Sequence, residues 1–155
     1  MPISDWGPKV WKFLHTFINH MNEDFFQKEK KSVCKYLFQI VRNLPCPHCS
    51  LHAKQYTKRV THANFKTKKD LEEYFFTFHN NVNKRLQKSE YKKEQLVEYN
   101  DVDLYNAFIH FSHIYLNNPF NRSRLHLSHA RRVLTYSMKK YFIEHAKELN
   151  YISKK

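Results

Sequence analysis

The stretch DWGPKVWKFLHTFINHM, residues 5–21, decides the fold class. Its apolar side chains, Trp6, Val10, Phe13, Leu14, Phe17, Ile18 and Met21, recur at steps of three and four, the period of an α-helix and not of a strand. Ser4 or Asp5 stands where an N-cap is expected, and Pro8 falls in the first turn, where a missing N–H is tolerated. Val33, Leu37, Ile40, Val41 and Leu44 mark a second helix, which Pro45 ends. A third starts at Cys46 or Pro47 and runs to about Val60. Leu71, Tyr74, Phe75, Phe78, Val82 and Leu86 give a fourth, strongly apolar on one face. Residues 88–100 are polar and charged and read as a connector or short helix. Leu104, Phe108, Phe111 and Tyr115 begin again, Asn117-Asn118-Pro119 breaks the pattern, and Leu127, Ala130, Val133, Leu134, Met138, Tyr141 and Phe142 close it. The pattern predicts an all-α protein. Residues 1–95 form a four-helix bundle, and residues 96–155 form a helical extension, either part of the same domain or a dimer interface.

Composition agrees. Among 155 residues there is one glycine, Gly7. That excludes glycine-rich dinucleotide loops and Walker A loops, and argues against a hairpin-rich β protein. Thirteen Phe, ten Tyr and two Trp supply enough apolar surface for a packed core. No apolar run approaches a membrane span, and Met1-Pro2-Ile3-Ser4-Asp5 is not the start of a secretory signal, so no membrane partner is expected. Three cysteines are too few for a disulfide scaffold, which leaves redox or metal chemistry for a C-x-x-C pair.

That pair is Cys46-Pro47-His48-Cys49. At the start of a helix, unpaired amides and the positive end of the dipole favour a thiolate at Cys46. Two sulfurs three positions apart on a first turn suit a reversible disulfide. Zinc is the rival reading, with Cys46, Cys49, His52 and His62 at C-x2-C-x2-H-x9-H, a spacing unlike the common fingers. A thioredoxin-like site would need strands that the sequence does not show. Trp11 and His15 share one face of the first helix, at i and i+4. On the fourth, His79-Asn80-Asn81-Val82-Asn83 follows the run Tyr74-Phe75-Phe76-Thr77-Phe78. A polar cluster on an apolar helix needs partners, and a bound polar ligand accounts for it better than solvent does.

Three motifs taken together, Trp6-Gly7-Pro8 with Trp11 and Leu14-His15, then Leu44-Pro45-Cys46-Pro47-His48-Cys49, then Phe78-His79-Asn80-Asn81-Val82-Asn83-Lys84-Arg85-Leu86, resemble the Erv/ALR family of FAD-dependent sulfhydryl oxidases. The likeness spans residues 5–90 and is nearest to the short enzymes of large DNA viruses, of the African swine fever virus type. It implies a helical bundle that holds FAD without a glycine loop. Matched motif by motif, Gly7, Trp11, His15, His79, Asn80, Val82, Asn83 and Lys88 would hold the cofactor, with His52, Tyr56 and Cys49 as further contacts. Cys46 and Cys49 would be the catalytic disulfide, with Cys46 attacked by substrate and Cys49 against the flavin. No metal site is implied. The reaction would oxidise protein thiols with O2 and release H2O2, making the chain an oxidoreductase.

The chain departs from the family in lacking a second, shuttling cysteine pair. Only Cys34 remains, read as a buried free thiol, so electrons should arrive directly from a partner thiol protein or small dithiol. A homodimer is expected, as is work in the host cytoplasm, at virus assembly sites or in the virion. The formal charge of +13 raises nucleic acid as a partner, most of all through Arg122, Arg124, Arg131, Arg132, Lys139, Lys140, Lys147, Lys154 and Lys155. Solvated helix faces explain most of the short runs Lys28-Lys30-Lys31, Lys66-Lys68-Lys69 and Lys92-Lys93, and the C-terminal cations suggest a nonspecific affinity for nucleic acid or an acidic partner rather than the function. His110, His113, His126 and His129 likewise read as surface residues rather than a metal site. The alternative function is a zinc-stabilised basic helical module that binds nucleic acid or protein.

Overall fold

The computed structural model describes residues 2–117 and 125–152, except for the side chains of residues 125–128. The described residues form α1 (Ile3–His20), α2 (Glu23–Arg42), α3 (Pro47–Tyr56), α4 (Lys68–Arg85), α5 (Leu104–Asn117) and α6 (Leu125–Glu144), and no strand lies among them. Two 3-10 segments, His62–Asn64 and Lys93–Asp101, complete the chain path. Arg122, Arg124, Lys154 and Lys155 and the His126 side chain lie outside the described residues.

α1 is the centre. Phe13 through Ile18 are all buried, so this helix is covered on every side rather than along one stripe. Phe13 stacks on Phe111 of α5 at 4.5 Å, and Phe17 meets Phe142 of α6 edge-on at 5.0 Å. Trp11 lies flat on His79 of α4, with ring centroids 4.1 Å apart. The buried polar groups of α1 are paired: Thr16 Oγ1 donates to the Lys12 carbonyl at 2.6 Å, and His15 Nε2 lies 3.0 Å from His79 Nδ1. α5 and α6 therefore pack into the same hydrophobic core as α1–α4.

Contacts fix the helix directions. Lys68 Nζ, at the start of α4, donates to the Asn19 carbonyl near the end of α1 at 2.9 Å, while His79 meets Trp11 further along, so the two helices are antiparallel. α6 is antiparallel to α2: Arg131 Nε donates to the Asn43 carbonyl at 2.7 Å, Tyr36 Oη pairs with Ser137 Oγ at 2.8 Å, and Tyr141 Oη donates to Glu29 at 3.1 Å. The start of α1 and the ends of α2 and α4 share one end of the bundle, where Ile3, Val41 and Leu86 line a common cavity.

Several boundaries differ from the sequence expectation. α1 begins after Pro2, not after Ser4 or Asp5, and Pro8 is its sixth residue. α3 stops at Tyr56 rather than near Val60. Arg42 takes both the Thr57 hydroxyl and its carbonyl, at 2.8 and 2.9 Å, which draws the chain out of the helix. α4 opens on a capping box made by Thr67 and Asp70. It closes with the Lys88 N–H on the Asn83 carbonyl at 2.8 Å and the Gln87 N–H on the Lys84 carbonyl at 3.2 Å. This is a left-handed terminating turn, with Gln87 at φ 56° where glycine is the usual occupant. The turn folds Lys88 and Ser89 back over the cavity. Gln87→Gly should relieve the strain and raise the thermal midpoint by the equivalent of about 0.5–1 kcal/mol, and Gln87→Val should lower it, both read from thermal melts.

Candidate active site

Cys46 is the N-cap of α3, and its Sγ accepts the Cys49 N–H at 3.3 Å. The two sulfurs are 2.6 Å apart, so a disulfide of about 2.05 Å forms with little movement. The pair is asymmetric. Cys46 is half-buried and is the more exposed of the two, whereas Cys49 is 8% exposed and forms part of the cavity wall. Burial, and then the neighbouring Cys46 sulfur, push the Cys49 thiol up to about 12, while the Arg85 guanidinium pulls the other way.

Both ends of α3 are anchored. The Leu44 carbonyl accepts from Ser50 Oγ and from Arg131, each at 3.0 Å, and Arg131 is itself buried. Arg131 thus reaches from α6 to hold the segment that leads into Pro45 and Cys46. Arg42 holds Thr57 at the other end.

The cavity has a volume of about 390 Å³, within the range of small-molecule sites. Trp6, Val10, Leu14, Val41, Leu44 and Phe78 make its apolar lining, and Arg85, Lys88, Ser89 and Asn83 bring polar groups to it. Gly7 sits on the wall, and a Cβ there would meet Ile3 Cγ2 at 3.3 Å. A glycine inside a helix costs about 1 kcal/mol relative to alanine, so its use here is space.

The residues singled out in the sequence separate into groups. Gly7, Trp11, Cys49, His52, His79, Val82, Asn83 and Lys88 line the cavity together. His15 stands behind the wall, paired with His79. Tyr56 is also set back, stacked on Phe78 at 4.5 Å, and Phe78 meets Trp11 edge-on. Asn80 turns away: its amide oxygen accepts the Tyr91 N–H at 2.7 Å and its amide nitrogen donates to the Tyr91 carbonyl at 2.8 Å. That clamp lays the Tyr91 ring against His79 at 5.1 Å, extending the Trp11–His79 stack. Arg85, Tyr91 and Tyr99 belong to the site and its support but were not singled out. Arg85 stood within the quoted motif, at i+3 from Val82, and that spacing was the available signal. The tyrosines lie in the polar segment after α4, which carries no helical period.

Burial makes both histidines poor bases. His15 is lowered to about 3 by burial and then by His79, and His79 to about 4 by burial and then by Lys88. Burial, then Arg85, also lowers His52. Cys34 is buried on α2, and burial pushes its thiol up to about 12. Cys46, Cys49, His52 and His62 do not converge, and no group of three or more His, Cys, Asp or Glu among the described residues is arranged to hold a metal. His110, His113 and His129 are exposed.

The Erv1/Alr family pattern matches residues 8–101, more than half of the chain and all of the cavity-lining segments except the first turn of α1. The chain belongs to the Erv1/Alr family. Relatives in two African swine fever virus isolates, Tick/Malawi and Pig/Kenya, are each called FAD-linked sulfhydryl oxidase. Each is 36% identical over 115 residues, covering 66% of this chain and 95% of the relative. No solved structure matches. α5 and α6 lie beyond the family match, so Arg131 holds the segment before Cys46 from outside it.

Two outcomes follow from this geometry. Arg131→Ala leaves the Asn43 carbonyl without its donor and should cost roughly 2–3 kcal/mol in urea unfolding. The lowered histidines give a signed pH dependence. Below an unfolded value of 6.5 the unfolded chain takes up protons that folded His15 and His79 refuse. Stability of the cofactor-free protein should therefore fall as pH drops from 6.5 toward about 4. His79→Gln should flatten that fall, which urea midpoints across the range will show.

Proposed function

We propose that this chain is an FAD-linked thiol oxidase whose redox disulfide is Cys46–Cys49. One observation carries the reading: a cysteine pair at a helix start has one half-buried cysteine and the other set in the wall of a preformed cavity. The residues present fit FAD. The apolar lining suits a planar tricyclic ring, the Trp11–His79 stack offers a face for an aromatic base, and Arg85 and Lys88 supply cations for a pyrophosphate. Gly7, Trp11, His52, His79, Val82, Asn83 and Lys88 would hold it directly. His15, Tyr56 and, through Tyr91, Asn80 would hold the residues that do.

The protein's own groups divide the work. Cys46, the more exposed sulfur, takes the attack of a substrate thiolate and forms a mixed disulfide, and Cys49 is released as thiolate. Burial opposes that charge while Arg85 supports it, so the electron pair is poised to leave Cys49 rather than stay. A second substrate thiolate then resolves the mixed disulfide and frees Cys46. FAD bound in the cavity supplies two-electron acceptance from the dithiol and delivery to O2. The net reaction is 2 R–SH + O2 → R–S–S–R + H2O2. His15 and His79, neutral at working pH, put no charge beside the ring stack, and the apolar wall excludes water.

Residues 96–117 and 125–152 belong to the same folding unit, which the shared core and the Arg131 bridge support. The exposed apolar stripe Val133, Tyr136 and Ile143 on α6 suits a second copy of the chain. The viral relatives support work in the host cytoplasm, at virus assembly sites, where thiols are otherwise kept reduced. No helix among the described residues is long and apolar enough to cross a membrane.

Cys46→Ser and Cys49→Ser should each remain folded and flavin-loaded yet lose dithiol-dependent peroxide formation. Cys34→Ala should keep it within about twofold, because that buried thiol is remote from the exchange. Peroxide assays alongside flavin absorbance check all three, and continued turnover in Cys49→Ser would contradict the assignment.

A further inference from the structure

Charge is distributed unevenly along the helices. From Lys30 to Lys69 the chain carries no Asp or Glu, and of its ten Lys and Arg, Arg42, Lys54, Lys58 and Arg59 flank the cysteine pair, while Lys30, Lys31, Lys68 and Lys69 stand near the starts of α2 and α4. From Tyr74 to Ser89 there are again no acids. The acids of α2 (Glu23, Asp24, Glu29) and of α4 (Asp70, Glu72, Glu73) all stand near the helix starts, at the end of the bundle remote from Cys46. Asp70 and Arg85 are fifteen residues apart on one helix, about 22 Å. That exceeds two Debye lengths of about 8 Å, so the far acids do not neutralise the near cations.

Helix dipoles explain part of this, since acids at a helix start and bases at its end are favoured. α6 separates the two explanations. It runs opposite to α2, with its start beside Asn43 and Leu44 and a later part beside Glu29. The cations of α6 are spread, with exposed Arg132 near its start and exposed Lys139 and Lys140 in its later half, but its acids, Glu144 and Glu148, come only at and beyond its end. For the acids this is the reverse of what the dipole favours. The acids follow the end of the bundle and not the helix polarity, and the cations near Cys46 are left with few acids beside them.

On the same end, the turn after α3 exposes Lys58 and Arg59, and α3 itself exposes Lys54. Leu51 is 54% exposed on α3, next to exposed Pro47 and His48. Three acids also lie near this end: Asp5, Glu90 and Glu98, the last next to cavity-lining Tyr99 and accepting the Tyr91 hydroxyl at 2.8 Å. Asp5 is two residues from cavity-lining Gly7 and so faces roughly 160° around α1 from it. Glu90 shares a shallow depression with Lys84 and Lys88 on the outer side of α4.

We infer that the face around Cys46 is a docking surface for acidic thiol substrates, polypeptides that carry their cysteine pair among Asp and Glu side chains. The inference rests on the oxidase reading and names its substrate class. A cationic face raises the local concentration of an acidic partner and of its attacking thiolate, and it slows basic competitors. Exposed Leu51 and Pro47 give an apolar footing beside the half-buried Cys46, which suits a peptide better than a nucleic acid.

The test uses the flavin-loaded full chain and three synthetic peptides sharing one Cys-x-x-Cys core, flanked by Glu, Ser or Lys. Dithiothreitol serves as the uncharged reference. At low salt kcat/KM should fall in the order Glu, Ser, Lys, with roughly tenfold between the extremes. The spread should collapse at about 0.5 M salt while the dithiothreitol rate holds. The triple variant K54E/K58E/R59E, which touches no residue of the cavity or the cysteine pair, should invert the order at an unchanged dithiothreitol rate. Equal rates for the Glu and Lys peptides at low salt, with dithiothreitol still oxidised, would overturn the inference alone. Tight binding of duplex DNA together with equal peptide rates would reassign the face to nucleic acid. Failure to oxidise dithiothreitol at all sinks the oxidase reading and this inference with it.

Discussion

The structure depends on the burial of α1 from every side. Six consecutive buried residues, Phe13 to Ile18, include one histidine and one threonine. A polar side chain in that position must find a partner inside the protein. Thr16 uses its own helix, but His15 cannot, and its hydrogen bond to His79 fixes α4 against α1 in one register. The Trp11–His79 stack, the Asn80–Tyr91 clamp and the Tyr91 ring against His79 all follow from that register. The aromatic wall of the cavity is thus a consequence of the core. α5 and α6 complete the burial through Phe111 and Phe142, and without them α1 would expose Phe13 and Phe17.

The cysteine pair is placed by a different set of contacts. Pro45 ends the run of the second helix, Cys46 caps the third, and the Leu44 carbonyl between them is held by Ser50 and Arg131. One sulfur is left accessible to a partner and the other to the cavity. In the proposed function this asymmetry couples a thiol exchange at Cys46 to a cofactor beside Cys49, in a chain with only one further cysteine, Cys34. A bundle that is basic at this end extends the same logic to the choice of partner.

Much of this was legible in the sequence, and the reasons are local. The helices of α1 and α4 follow from apolar steps of three and four, the start of α3 from Pro47 after Cys46, and the chemistry from the C-x-x-C spacing. The cavity residues Trp11, His79, Val82 and Asn83 were visible because helical spacing sets them on shared faces. What could not be read is non-local. Asn80 looked like a ligand group, yet it binds the backbone of Tyr91, eleven residues on. Arg131 looked like part of a basic surface, yet it is buried against carbonyls 87 and 88 residues away. The segment after α4 forms a 3-10 helix, whose tighter turn shows no 3.6-residue period. α1 begins two or three residues earlier than Ser4 or Asp5 as a cap suggests, because Pro2 serves as its cap position without a side-chain bond.

An anaerobic dithiol titration of the flavin-loaded protein, followed at the flavin band at about 450 nm, tests the central claim most directly. The account requires the Cys46–Cys49 disulfide and the flavin to accept one electron pair each, in communication. Full bleaching should therefore consume about two dithiols per flavin, with both thiols of the pair free at the end point. Full bleaching after a single equivalent, with the disulfide still intact, would show that electrons reach the cavity without passing through Cys49, and would contradict it.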